Sequence, residues 1–83
     1  MRLVYFAWVR ERIGRTDEEI AVPPSIATAG DLLDWLKTRG PEYEYALAEP
    51  TAIRIAIDRV HARRDTPLAG AGEVALFPPM TGG

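Results

Sequence analysis

One stretch limits the fold of this chain more than any other. "ATAGDLLDWLKTRGP", residues 27–41, carries a helix with both of its ends marked. Thr28 is a good N-cap with Asp31 three residues on, and Ala29, Leu32, Leu33 and Leu36 recur at i, i+3, i+4 and i+7. Gly40 followed by Pro41 closes it in the expected order. The spacing predicts a helix over Thr28–Arg39 with one apolar stripe, and that stripe must be buried against another layer.

The rest of the chain supplies strands for that layer. "RLVYFAWV" is rich in β-formers and apolar at almost every position, which predicts a central strand. "TDEEIAVP" reads as a more polar strand ending at Pro23-Pro24, and "RERIGRT" as the hairpin connection before it, with Gly14 free to take positive φ. "EYEYALA" adds a short helical turn. "AIRIAID" alternates, with Ile53, Ile55 and Ile57 on one side and Arg54 and Asp58 on the other; "RVHARR" continues as a short strand. After the turn "PLAGAG", "EVALF" is the last strand, stopped by Pro78. The order β-β-α-β-β-β predicts an α+β roll of two layers: a mixed sheet of about five strands with one main helix across one face. The long link through the helix lets the last strand lie parallel beside the first. That is the β-grasp, or ubiquitin-like, arrangement, expected as a single domain over residues 1–83 with the tail 78–83 protruding.

With one helix of any size, the second sheet face is expected to stay bare, and parity names its residues. Arg2 marks that face in the first strand, together with Val4, Phe6 and Trp8, while Leu3, Tyr5 and Ala7 go under the helix. In the last strand Glu73, Ala75 and Phe77 face outward and Val74 and Leu76 inward. Val4, Phe6, Ala75 and Phe77 thus form an apolar patch, with His61 at its border, of the kind that marks a partner surface.

Side-chain chemistry is scarce. Cysteine is absent, which removes disulfides, iron–sulfur clusters and thiolate catalysis. His61 is the only histidine, so neither a metal cluster nor a nucleophile–base pair is expected. Glu18, Glu19, Glu42 and Glu44 read as solvated faces. No dinucleotide loop or Walker motif occurs, and no bound cofactor is expected. A net charge of −2 argues against nucleic acid, and "RVHARR" reads as a charged edge strand. "MRLVYFAWVR" has no cleavage site and nothing is long enough to span a bilayer, so no membrane association and a cytoplasmic setting are expected.

The ending "FPPMTGG" remains. Pro78 and Pro79 favour an extended, stiff course, which lowers the ordering entropy lost on capture. From Pro79 to Gly83 the tail reaches about 13–14 Å. Gly82 and Gly83 lack Cβ atoms and can enter a slot too narrow for other residues. Such a tail can carry its own carboxylate into another protein's active site.

"LVYFAWVRE" and "DTPLAGAGEVALFPPMTGG" resemble the small-subunit family of molybdopterin synthase, also called molybdopterin-converting factor subunit 1, across essentially the whole chain. The resemblance implies a sulfur carrier that is not an enzyme on its own. An activating enzyme that uses ATP would adenylate the Gly83 carboxylate, and a sulfur donor enzyme would convert it to a thiocarboxylate. The tail residues Pro78, Pro79, Met80, Thr81 and Gly82 would insert into the large synthase subunit, in a heterotetramer. There the sulfur would pass to precursor Z, cyclic pyranopterin monophosphate. Phe6 and Phe77 match the family's partner-facing aromatics. Asp58 stands where the family usually has asparagine, "GAGEV" lacks the aspartate common before Glu-Val, and His61 replaces a commonly apolar residue. Three alternatives stay open on the sequence: a carrier for thiamin thiazole synthesis, a protein modifier joined through Gly83, and a β-grasp interaction module with idle glycines.

Overall fold

The computed structural model describes residues 1–79. Strand β1 (Arg2–Tyr5) leads into helix α1 (Ala7–Ile13), followed by β2 (Asp17–Glu19) and helix α2 (Ala29–Leu36). A 3-10 turn at Lys37–Arg39 continues α2, helix α3 (Pro41–Ala46) follows, and another 3-10 turn spans Pro50–Ala52. Strands β3 (Arg54–Ile57), β4 (Val60–Ala62) and β5 (Glu73–Phe77) complete a five-stranded sheet in the order β2-β1-β5-β3-β4. The last strand lies parallel to β1 and antiparallel to β3, which puts it at the centre. This is the expected α+β β-grasp roll.

Helix α2 forms as its sequence requires. Thr28 and Asp31 make a reciprocal capping box, each side chain accepting from the other's backbone N–H. Two further N-terminal donors, Ala29 and Gly30, reach the carbonyls of Thr66 and Arg64 at 2.9 and 2.7 Å. That close approach explains a glycine inside a helix: a Cβ on Gly30 would stand 3.0 Å from the Arg64 carbonyl oxygen. The stripe Leu32, Leu33 and Leu36 packs on the inner sheet face, where Leu3 lies opposite Val74 and Tyr5 opposite Leu76, and Ile55 faces Leu76 from the other side. The core residues expected from sequence, Leu32, Leu36, Ile55, Val74 and Leu76, are all buried.

Residues 7–13 differ from the sequence expectation. The strand stops at Tyr5, and α1 replaces the second half of the supposed strand and most of the hairpin loop. The switch occurs at Phe6, still extended, and Ala7, which adopts a left-handed φ of 52°. Such a conformation costs a non-glycine residue on the order of 1 kcal/mol, offset here by burial of Val9 and Ile13 one turn apart on α1. Gly14 does take positive φ, 85°, but as the C-terminal cap of α1, its N–H donating to the Arg10 carbonyl. Trp8 therefore leaves the open sheet face and packs half-buried against the core, and Ala7 is exposed, not under α2. Only three residues of "TDEEIAVP" pair as strand. Pro41 both ends the α2 segment and begins α3, a position that needs no N–H.

Glu18 also departs from expectation. Its side chain is 9% exposed, not solvated. The Tyr5 hydroxyl donates to Oε2 at 2.7 Å, the Tyr43 hydroxyl donates to the same oxygen, and Arg39 donates to Oε1 at 3.1 Å. One carboxylate thus joins β1, β2, α3 and the turn after α2. Burial pushes its pKa up, but the hydrogen bonds from Tyr43, Tyr5 and Arg39 together outweigh burial and hold it below the ordinary 4.5. Burial, then the bond to Glu18, raises Tyr5 above its ordinary 10.0.

Two stability measurements test this scaffold. Leu36→Ala removes a side chain with no exposed surface and should cost about 2–5 kcal/mol in urea unfolding. A folded-state pKa held low contributes stability that is present above the unfolded value and lost as pH falls through the folded one. Glu18→Gln should therefore lower stability by about 1–3 kcal/mol at pH 7 and flatten the fall of the parent below about pH 4.5. Equal acid limbs in the two proteins would contradict that role for Glu18.

Candidate functional site

The sheet register places one row of outward side chains across its centre. Asp17 lies opposite Val4, Val4 opposite Ala75, Ala75 opposite Ala56, and Ala56 opposite His61. Two alanines in the middle of that row leave a low floor between bulkier neighbours. Phe6 and Phe77 stand at the end where the chain leaves the sheet, and Pro78 and Pro79 line the same edge. The result is a trough of about 600 Å³ with an apolar floor and walls. Its other end is polar, lined by Arg2, Arg59 and Glu73.

Local chemistry sets each of these groups. Phe6 is 47% exposed because the chain turns into α1 immediately after it, while its N–H still donates to the Leu76 carbonyl and stays tied to β5. Phe77 ends β5 and meets the His61 ring edge-on, with centroids 5.8 Å apart. Asp58 and Arg59, at φ 48° and 71°, form the tight turn between β3 and β4. Two consecutive left-handed residues match the twist of a hairpin, and aspartate tolerates that region better than most side chains. The Asp58 carboxylate also accepts from the N–H groups of Gly72 and Glu73, fixing the start of β5 beneath the trough. Asp58 thus does an acceptor's work at this turn.

The structure brings together Val4, Phe6, Ala75 and Phe77, as parity predicts, with His61 at the border and exposed. Pro78 and Pro79 join them. Met80, Thr81, Gly82 and Gly83 lie outside the described residues. The sequence reading missed Ala7, Ala56 and Arg59. Ala56 was available from the alternation of "AIRIAID", since it shares parity with Arg54 and Asp58. Ala7 was lost with the misread strand, and Arg59 depends on a turn geometry that spacing does not reveal.

Among the described residues no group of histidines and carboxylates could hold a metal ion, and no helix is long and apolar enough to cross a membrane. The trough contains no nucleophile paired with a base. It is a surface that can hold another molecule's apolar groups, beside an outgoing chain.

One covered sheet face, one bare trough and a central last strand running out beside it define a ubiquitin-like β-grasp protein. The chain belongs to the ThiS family, which it matches over residues 3–83. The molybdopterin synthase sulfur carrier subunit of Escherichia coli is 31% identical over 83 residues, 100% of this chain and 99% of that protein. The subunit of the same name from Haemophilus influenzae is 30% identical over the same shares. Among solved structures, SAMP1 from Haloferax volcanii, a small archaeal modifier protein, superposes with a TM-score of 0.76 at 30% identity, covering 100% of this chain and 98% of that one.

Proposed function

We propose that this chain is the sulfur carrier subunit of a molybdopterin synthase. The observation that carries the reading is the apolar trough, whose Phe6, Phe77, Pro78 and Pro79 lie where the chain runs on toward Gly82 and Gly83. Full-length likeness to sulfur carrier subunits of that enzyme supports it. In this reading the trough docks the large subunit, and the tail residues Pro78, Pro79, Met80, Thr81 and Gly82 carry the Gly83 carboxylate into that subunit's active site. Two carriers and two large subunits would form a heterotetramer.

The carboxylate is first made reactive elsewhere. Its oxygen attacks the α-phosphate of ATP on an activating enzyme, pyrophosphate leaves, and a glycyl adenylate results. A sulfide-level sulfur nucleophile supplied by a donor enzyme attacks the acyl carbon, displaces AMP and leaves a thiocarboxylate. That sulfur then bonds to a carbon of precursor Z, and water cleaves the acyl carbon–sulfur bond, leaving the sulfur on the pterin and regenerating the carboxylate for another cycle. The carrier contributes no acid or base and binds no cofactor of its own. Its part is position, which is where most of the rate advantage in such a delivery lies.

The likeness to a small archaeal modifier protein favours one second reading, conjugation of Gly83 to lysines of other proteins. Intact-mass measurement separates the two after incubation with the activating enzyme, ATP and a sulfur donor. Replacement of one oxygen by sulfur is expected for the carrier, and lysine-linked adducts for the modifier. Deleting Gly83 draws the carboxylate back by about 3.5 Å and should abolish the sulfur-containing species. Its persistence in the deletion would refute the role of Gly83. Phe77→Ala should weaken the complex with the large subunit by more than about 1 kcal/mol in calorimetry while leaving the far-UV spectrum unchanged. Unchanged affinity in that folded variant would remove the trough from the interface.

A further inference from the structure

One wall of the trough rests on a group that can change charge. His61 lies opposite Ala56, a floor residue, and its ring meets the ring of Phe77 edge-on with centroids 5.8 Å apart. It is exposed, and it is the chain's single histidine. Histidine is the side chain that ordinarily gains charge as pH falls from about 8 to about 5. A partner that packs on Phe77 meets this imidazole too, because the two rings touch and β4 lies only about 4.8 Å beyond the floor strand β3.

The charges around His61 set the cost of protonating it. On its own hairpin arm, Arg59 and Arg63 stand two residues to either side and share its parity; Arg59 also lines the trough. From β3 come Arg54, opposite Phe77, and Asp58, whose carboxylate is already engaged by the N–H groups of Gly72 and Glu73. From β5 comes Glu73, at the polar end of the trough. Beyond β5, Arg2 and Asp17 pair with each other at 2.8 Å. Among the described residues no carboxylate lies within ion-pair distance of His61. Three arginines thus flank the imidazole, and no acid is placed to hold its proton.

Docking raises that cost. An exposed imidazolium keeps its water. Beneath a partner seated on Phe77 the same group loses that water among apolar rings and like charges, and both effects favour the neutral form. We propose that His61 is a proton-sensitive docking residue: the large subunit binds the trough when His61 is neutral, and a protonated His61 must release its proton for the complex to form. The proposal rests on the carrier role and adds a regulation of that site. A group that loses its proton on binding leaves affinity complete above the range in which the free imidazole titrates, and affinity falls as pH drops through that range. The complex is therefore tight near neutral pH and loosens in mild acid. The scaffold persists there, since Glu18 is held below its ordinary 4.5.

The test is calorimetric titration of the full chain with the cognate molybdopterin synthase large subunit at about pH 8 and about pH 5.5, at constant ionic strength. The parent should bind about five- to tenfold more weakly at the lower pH, the effect of an imidazole pKa lowered by one unit or more on binding. At about pH 6.5, heats in two buffers of different ionisation enthalpy should report net proton release. His61→Phe keeps an aromatic ring beside Phe77 but cannot be charged, and should remove the proton release and most of the pH dependence. His61→Lys should bind weakly at both pH values. His61 is exposed, so these variants keep the fold; His61→Gln, also neutral, takes the place of the phenylalanine variant if that one aggregates. Parent-like pH dependence in the neutral variant would overturn the role of His61 and leave the carrier role standing. Equal or tighter binding by the parent in acid would do the same. No binding by the parent at either pH would overturn both.

Discussion

The pairing of β5 between β1 and β3 is the constraint on which everything else in this molecule rests. Its hydrogen bonds join the two ends of the sequence, and its register decides which side chains go in and which go out. Val74 and Leu76 enter the core between Leu3, Tyr5 and Ile55, while Ala75 and Phe77 are turned to the other face with Val4 and Ala56. A slip of one residue would bury Glu73 and expose Leu76. Because β5 is central, the chain also leaves the sheet from its middle, next to the trough, instead of from an edge. The carrier role proposed above depends on that rigid base.

The register is protected at several points by groups that look incidental. Asp58 accepts from the N–H groups of Gly72, just before β5, and Glu73, its first residue, and the Arg2 N–H reaches the Gly72 carbonyl at 2.9 Å, so the strand enters the sheet in a fixed phase. At the opposite end Phe6 donates to Leu76 before the chain breaks into α1. The left-handed residues Ala7, Asp58 and Arg59 each carry some backbone strain, and Ala7 and Arg59 line the trough on the open face. Strain there is tolerated because the neighbouring core over-determines the path of the chain.

The helical side is organised by charge held against aromatic rings. Glu18 gathers Tyr5, Tyr43 and Arg39 in a cluster where no buried side-chain polar atom lacks a partner, so a carboxylate that would be costly alone becomes a tie between four segments. Arg12, against Trp8 and Tyr45, repeats the aromatic half of that design with no carboxylate partner among the described residues.

Much of this was legible in the residues. The Thr28–Asp31 box, the leucine stripe and Gly40-Pro41 specify α2 locally, because caps and 3.6-residue periodicity act within one or two turns. Strict alternation in β3 and β5 assigns faces, and so the trough residues Val4, Ala75 and Phe77 follow from parity together with the absence of a long second helix. The path of residues 7–13 was decided only by tertiary structure. Their β-forming side chains favour a strand, but that strand would lie beyond the end of β5, whereas a helix buries Val9 and Ile13 against the core. The interactions of Glu18, Arg12 and Arg39 likewise needed the fold, since their partners come from segments up to 33 residues away, as with Arg12 and Tyr45. Local sequence determines what a segment prefers and which way its side chains alternate; burial and pairing between distant segments decide whether that preference is honoured.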